Sequence, residues 1–176
     1  MTNYRRTFVP GATYFFTVNL ADRRRTLLID HIDLLRDAIR YTRQRHPFLI
    51  DAMVVLPDHL HAIWTLPWGD ADFPLRWRLI KTWFSRNLPL GEHRRASRID
   101  KGERGIWQRR YWEHLMRDET DFARHVDYIH WNPVKHGFVA RAKDWPYSTF
   151  HRFVRDGVLT EDWGCAGDDA SFGERR

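Results

Sequence analysis

Apolar positions along the chain recur with two periods, near two and near three and a half, and predict an ordered series of elements. Thr13-Tyr14-Phe15-Phe16-Thr17-Val18-Asn19 is dense in aromatic and β-branched residues and predicts a first strand. From Asp30 to Arg45, Ile32, Leu35 and Ile39 recur at i, i+3 and i+7. Asp30 suits an N-cap there, and His46-Pro47 closes the helix. Phe48 to Val55 and His59 to Leu66 predict two strands joined by a turn at Pro57-Asp58. After a loop from Gly69 to Asp72, a helix is expected from Phe73 to Leu88, with Phe73, Trp77, Ile80, Phe84 and Leu88 on one stripe. Gly91 to Gly105 is charged and lacks apolar periodicity, which predicts a mobile loop. Ile106 to Met116 alternates as a fourth strand would, Glu119 to Trp131 reads as a third helix, and Trp145 to Val154 as a short final one. The acidic, weakly patterned residues 156–176 are expected to form a loosely held tail behind a single domain spanning 1–155.

The order β-α-β-β-α-β followed by helices predicts an α+β fold of the ferredoxin-like, split βαβ kind, with an antiparallel sheet and additional C-terminal helices. Such a sheet leaves a face or an edge for a ligand. The fold hosts many activities, so the function must be read from the site.

Composition narrows the partner. The 176 residues carry a net charge of +6, from 29 basic against 23 acidic side chains, which favours a polyanion such as nucleic acid. Nine tryptophans exceed what a core of this size needs; most, including Trp77 and Trp145, are expected in the core, and the others supply rings that can stack on bases. Cys165 is the only cysteine, which excludes internal disulfides and thiolate-rich zinc sites. The opening Met1-Thr2-Asn3-Tyr4-Arg5-Arg6 lacks the apolar stretch of a secretory signal, and no apolar run reaches the roughly 20 residues of a membrane span. A cytoplasmic, nucleoid-associated protein without membrane partners is the expectation.

The chemistry centres on His59-Leu60-His61 within Val54-Val55-Leu56-Pro57-Asp58-His59-Leu60-His61-Ala62-Ile63-Trp64. On a strand, side chains at i and i+2 leave from one face with Cα atoms roughly 6.5–7 Å apart. Two imidazoles at that spacing can converge on one metal ion, and the apolar flanks hold them rigidly. A triplet of this kind is also common as a purely structural feature. Near the end of the third helix, Tyr128 and Asn132 stand at i and i+4 on one flank, with Asp121 and His125 nearby on it. Asn132 can complete a two-histidine-plus-one ligand set, although an asparagine before Pro133 equally suits a helix end. Tyrosine is a weak nucleophile at neutral pH and needs a cation or base beside it. A His pair, a third polar ligand and a positioned tyrosine can together form a metal-assisted phosphodiester nickase.

Basic side chains offer weaker signals. Arg23, Arg24 and Arg25 follow the first strand, Arg109 and Arg110 lie in the fourth, and Arg76, Arg78 and Lys81 flank the second helix's apolar stripe. Each can bind phosphate, and each also suits an ordinary solvated surface. Lys135-His136-Gly137 follows the tyrosine closely and carries more weight. His114 would approach the site if its strand neighboured the histidine strand.

A set of longer segments accompanies these residues. They are Leu56-Pro57-Asp58-His59-Leu60-His61, Gly105-Ile106-Trp107-Gln108-Arg109-Arg110-Tyr111-Trp112-Glu113-His114, Arg117-Asp118-Glu119, Tyr128-Ile129-His130-Trp131-Asn132-Pro133-Val134-Lys135-His136-Gly137, and Trp145-Pro146-Tyr147-Ser148-Thr149-Phe150. In this combination, across residues 56–150, the chain resembles the REP-associated tyrosine transposases of the single-tyrosine HUH nuclease superfamily. The resemblance implies a ferredoxin-like fold, His59 and His61 as metal ligands, Tyr128 as nucleophile and Asn132 as the polar ligand one turn later. Related insertion-sequence transposases commonly carry glutamine at that last position, and asparagine is shorter. The implied cofactor is Mg2+ or Mn2+, although imidazoles by themselves suit zinc equally. The implied substrates are single-stranded, REP-like palindromic hairpins, cut by a monomer or homodimer through a covalent 5′-phosphotyrosine. Two other readings compete: a non-catalytic binder of single-stranded nucleic acid, and a metal-dependent nuclease that uses water and leaves no protein–DNA adduct.

Overall fold

In the computed structural model, residues 7–90 and 104–164 are described. Strands β1 (Thr13–Asn19), β2 (Leu49–Val55), β3 (His59–Thr65) and β4 (Trp112–Leu115) form one antiparallel sheet in the order β2-β3-β1-β4. The helices are α1 (Leu27–Asp30), α2 (Ile32–Arg45), α3 (Phe73–Asn87), α4 (Glu119–Lys135) and α5 (Phe150–Arg155). The strand order is that of the expected split βαβ fold.

Helices cover both faces. Alternate residues of β1 and β3 (Tyr14, Phe16, Val18, Leu60, Ala62, Trp64) meet α2 and α3 on one face, where Trp64 stacks on Trp77 with ring centroids 4.0 Å apart. The other set (Phe15, Ile63, and Ala52 and Val54 of β2) packs under Val126 and Ile129 of α4. Period-2 alternation therefore delivers His59 and His61 to the α4 face, in line with Ile63. Arg76, expected at the flank of α3, is instead buried. Its guanidinium pairs with Asp70 at 2.6 Å and donates to the carbonyls of Pro47, Asp72 and His46, tying the start of α3 to the α2–β2 turn.

Several expectations need correction. The first helical region breaks at His31 into α1 and α2, and Thr26 Oγ1 donates to Asp30 Oδ2, so Asp30 closes a short turn rather than capping α2. The fourth strand is only Trp112–Leu115. Ahead of it Trp107 makes only an isolated bridge to Leu20, and the ladder with β1 begins at Trp112. Arg109 and Arg110 thus lie in the exposed bend before β4 rather than within it. Of the expected final helix only Phe150–Arg155 is helical. Ahead of it Val55 donates to Tyr147 O and Thr149 to Met53 O, so this segment covers the free edge of β2.

The third expected helix runs one turn further, to Lys135. Pro133 costs it one hydrogen bond near its end without stopping it. The stop is Gly137, with φ +72°: Gly137 N–H donates to Val134 O and Phe138 N–H to Pro133 O, a Schellman pair that needs a left-handed residue. Beyond Asp156 residues 157–162 are largely exposed, but the Trp163 ring lies 5.9 Å from Phe150 and 6.2 Å from His130. Most of the expected mobile loop (91–103) and the last part of the expected tail (165–176) lie outside the described residues.

Candidate metal and nucleophile site

β3 leads directly out of the Pro57-Asp58 turn, so His59 and His61 start at the sheet's rim and run inward. Their rings are 5.0 Å apart and nearly perpendicular, and both are almost fully buried. Each has its Nδ1 engaged. His59 Nδ1 meets Asp58 Oδ1 at 2.7 Å, and His61 Nδ1 meets Thr17 Oγ1 of β1 at 2.9 Å. These contacts orient the imidazoles and leave the Nε2 atoms for a ligand, as the hydrogen bonds behind metal-binding histidines do. Arg23 pairs with Asp58, donates to Asn19 Oδ1 at 3.0 Å and lies 3.3 Å from His59 Nδ1.

α4 crosses above this pair. Asp121, His125, Tyr128 and Asn132 follow one another at i, i+4, i+7 and i+11, one stripe of the helix turned toward the sheet. The Tyr128 ring meets His61 edge-on at 5.1 Å and Phe15 at 6.0 Å. It is 9% exposed, well short of a tyrosine lying freely in water. Asn132, one turn on, is fully buried, and its amide nitrogen makes only a long 3.5 Å contact to Tyr128 O. Lys135 Nζ stands 4.6 Å from the Tyr128 ring centroid, and the His136 ring is 5.2 Å from His59.

Two buried polar atoms in this region have no hydrogen-bond partner: His61 Nε2 and Asn132 Oδ1. Burying such groups unpaired is costly, and lone pairs of this kind suit a cation. Burial, reinforced by the neighbouring His59, His136, Lys135 and Arg23, pushes His61 well below the usual imidazole range. Burial also lowers His59, with Asp58 pulling the other way. Both rings are therefore neutral at pH 7, the form in which imidazole binds a metal. Two imidazoles and an amide oxygen are a chemically sensible donor set for a divalent ion.

The other expected residues divide. Arg23, Lys135 and His136 border the site. Arg24 is turned to Asp22 at 2.9 Å, and Arg25 is exposed beyond it. Lys81 lies across the sheet, donating to Gln108 O at 2.7 Å among Trp107 and Tyr111, so it is held within the α3 side. Arg109 and Arg110 are exposed on the bend. His114 does not reach the histidine pair, because β1 lies between β4 and β3. Sequence reasoning missed Thr17 and Asp58 as orienting groups. Asp58 adjoins His59 and is visible once its turn role is set aside, but Thr17 becomes a partner only through the β1–β3 register, which sets it opposite His61.

No family model matches the chain. A protein of Haemophilus influenzae described as a putative REP-associated tyrosine transposase is 47% identical over 169 residues, 93% of this chain and 94% of the relative. An Escherichia coli protein described as a REP-associated tyrosine transposase is 48% identical over 175 residues, 99% of this chain and 98% of the relative. A solved structure described as a REP-associated tyrosine transposase bound to a REP hairpin superposes with a TM-score of 0.81 at 48% identity, covering 100% of this chain and 99% of that one.

Proposed function

This chain belongs to the REP-associated tyrosine transposase family, and we propose that it nicks and rejoins single-stranded hairpin DNA using Tyr128 as nucleophile. One observation carries the reading: the Tyr128 ring meets His61 edge-on at 5.1 Å, while His61 Nε2 and Asn132 Oδ1, one helical turn beyond Tyr128, are buried without hydrogen-bond partners. A divalent ion, Mg2+ or Mn2+, held by His59, His61 and Asn132 would polarise the scissile phosphate and offset the charge that builds up there.

The protein's own groups supply the rest. Asp58 and Thr17 fix the two imidazoles. The Tyr128 oxygen bonds to phosphorus as the P–O3′ bond breaks; the phenol gives up its proton, and the departing O3′ gains one. The product is a 5′-phosphotyrosine and a free 3′-hydroxyl. Bond energy is retained, so a 3′-hydroxyl of the same or another strand can reverse the step. Lys135, His136 and Arg23 border the site where a phosphate backbone would approach, and Arg24, Arg25, Arg109 and Arg110 offer exposed charge to the flanking strand.

REP-like hairpins are the proposed substrate class, the ligand of the solved relative. That substrate would place the protein at the nucleoid, and no helix among the described residues is long and apolar enough to cross a membrane. Tyr128, His61 and their neighbours meet within one chain, and the proposed active unit is a monomer or a homodimer.

The test is incubation with a single-stranded hairpin, labelled separately at each end, in the presence of Mn2+, followed by denaturing electrophoresis and protease digestion. A covalent adduct on the 5′ end of the released fragment is expected, with little cutting of the fully paired duplex. Cleavage without an adduct would favour a water-using nuclease. An adduct on a 3′ phosphate, or equal cutting of duplex, would overturn the mechanism.

A further inference from the structure

The stripe of α4 that carries Tyr128 and Asn132 has a second polar end. One and two turns before Tyr128, His125 and Asp121 face β4, where His114 points back at them. His114 Nε2 is 2.7 Å from Asp121 Oδ2, and His125 Nδ1 is 3.2 Å from Asp121 Oδ1. The two imidazole rings lie nearly parallel, with centroids 4.9 Å apart and planes 19° apart. All three side chains are partly buried, and one donor atom from each lies within 4.8 Å of the others.

From this geometry we propose a second metal site, made of His114, Asp121 and His125, that binds a borderline transition-metal dication such as Zn2+. Two imidazoles and a carboxylate match the ligand preference of that class and not of Mg2+ or Ca2+. Donor atoms around a tetrahedral Zn2+ stand about 3.4 Å apart, given bonds of about 2.1 Å. The two Asp121 separations, 2.7 and 3.2 Å, fall just short of that spacing and all three donors lie within 4.8 Å, so small side-chain rotations can close the set. Both imidazoles converge on one carboxylate, and His125 Nδ1 also lies 2.8 Å from the Asp121 carbonyl oxygen; a bound cation would displace the protons these nitrogens direct at Asp121. Burial opposes the charge of Asp121, but hydrogen bonds from His114 and the Arg117 N–H hold its carboxyl below the usual range, so the ligand stays ionised.

The site is separate from the one around His61. The Phe15 ring stands between them, 5.5 Å from His61 and 4.7 Å from His125. Two ions that share a phosphate stand about 3.5–4 Å apart, so this one does not form a two-metal centre with the other. Its place in the fold defines its work. His114 belongs to the short edge strand β4, while Asp121 and His125 belong to the first turns of α4. A bound ion pins the start of the tyrosine helix to the sheet and stiffens the element that presents Tyr128.

The test uses full-length protein carrying His59→Ala and His61→Ala, stripped of metal, so that only the proposed site remains. It is titrated with Zn2+ against a chromophoric chelator and with Co2+ followed by visible absorption. One equivalent is expected to bind, and the melting temperature to rise with Zn2+. Adding His114→Ala should weaken binding at least about tenfold and abolish the Zn2+-induced rise. Asp121→Asn, which keeps size and removes charge, should do the same and decides the matter if His114→Ala fails to fold. Absence of stoichiometric binding, or binding unchanged by both variants, would overturn the proposal and leave a metal-free hydrogen-bonded staple. Because these variants lack the first site's histidines, the outcome is independent of whether Tyr128 nicks DNA.

Discussion

Tyr128→Phe separates chemistry from packing. The ring contributes the edge contact to His61 at 5.1 Å, the contact to Phe15 at 6.0 Å and the face under Lys135 Nζ at 4.6 Å. Phenylalanine keeps the apolar part of these contacts and removes one oxygen. The stability change should therefore stay within about 1–1.5 kcal/mol, the worth of a single hydroxyl interaction. Tyr128→Ala would instead empty a ring-sized space in the cluster around Phe15, Ile63 and Ile129, at about 3–5 kcal/mol. Hairpin affinity should change less than about threefold in the phenylalanine variant, because the bordering cations remain in place. Nicking should fall by on the order of 10⁴-fold or more, as when a covalent nucleophile is deleted elsewhere. Three measurements are needed on one preparation: a urea melt, a gel-shift titration with hairpin, and quantitative trapping of the covalent adduct. Wild-type-like nicking by Tyr128→Phe would refute the nucleophile assignment. Loss of nicking together with a melt shifted by several kcal/mol would show that the contacts of the ring had been misjudged.

His61→Ala should abolish Mn2+-dependent nicking while retaining the far-ultraviolet circular dichroism of the parent, and activity equal to wild type in EDTA would count against the site. Lys135→Gln should weaken binding to every hairpin sequence alike and lower the slope of log affinity against log salt by about 0.7, the increment for one contact to a single strand; an unchanged slope places Lys135 off the DNA path. His130, on the far flank of α4, is held by burial at about 3, against 6.5 for a free imidazole. The unfolded chain therefore takes up a proton that the folded chain refuses, so this stability is intact above about pH 6.5 and is lost as pH falls toward 3, with a ceiling of about 5 kcal/mol. Urea melts at pH 7 and pH 4 should show a large drop for wild type and a smaller one for His130→Phe; equal drops would remove His130 from the acid limb.

Much of this molecule was legible in the chain because its local signals agree with its packing. The stripe Phe73, Trp77, Ile80 and Phe84 is the buried face of α3, and the aromatic run at 13–19 is β1. His59 and His61 share a face because a strand forces i and i+2 together, and Tyr128 and Asn132 share a flank because a helix does the same for i and i+4. Local signals failed where a distant partner outweighed them. The expected final helix starts only at Phe150, because the open edge of β2 offers the backbone of 145–149 hydrogen bonds from Val55 and to Met53, and the Trp145 indole donates to Val55 O at 2.9 Å. Pro133 marks a helix end by propensity, yet buried contacts of the last turn and the Gly137 closure carry the helix past it.

Sequence alone thus determined which side chains share a face, since that follows from backbone periodicity, which neighbours in the chain fix. It could not determine which faces meet. Thr17 holds His61, β1 rather than β4 lies beside the histidine strand, and His114 turns to Asp121 and His125, because strand order and register set these pairs across 7 to 44 residues of chain. Register and strand order are settled by the burial of whole faces at once, a sum over many distant contacts that no local window of sequence contains.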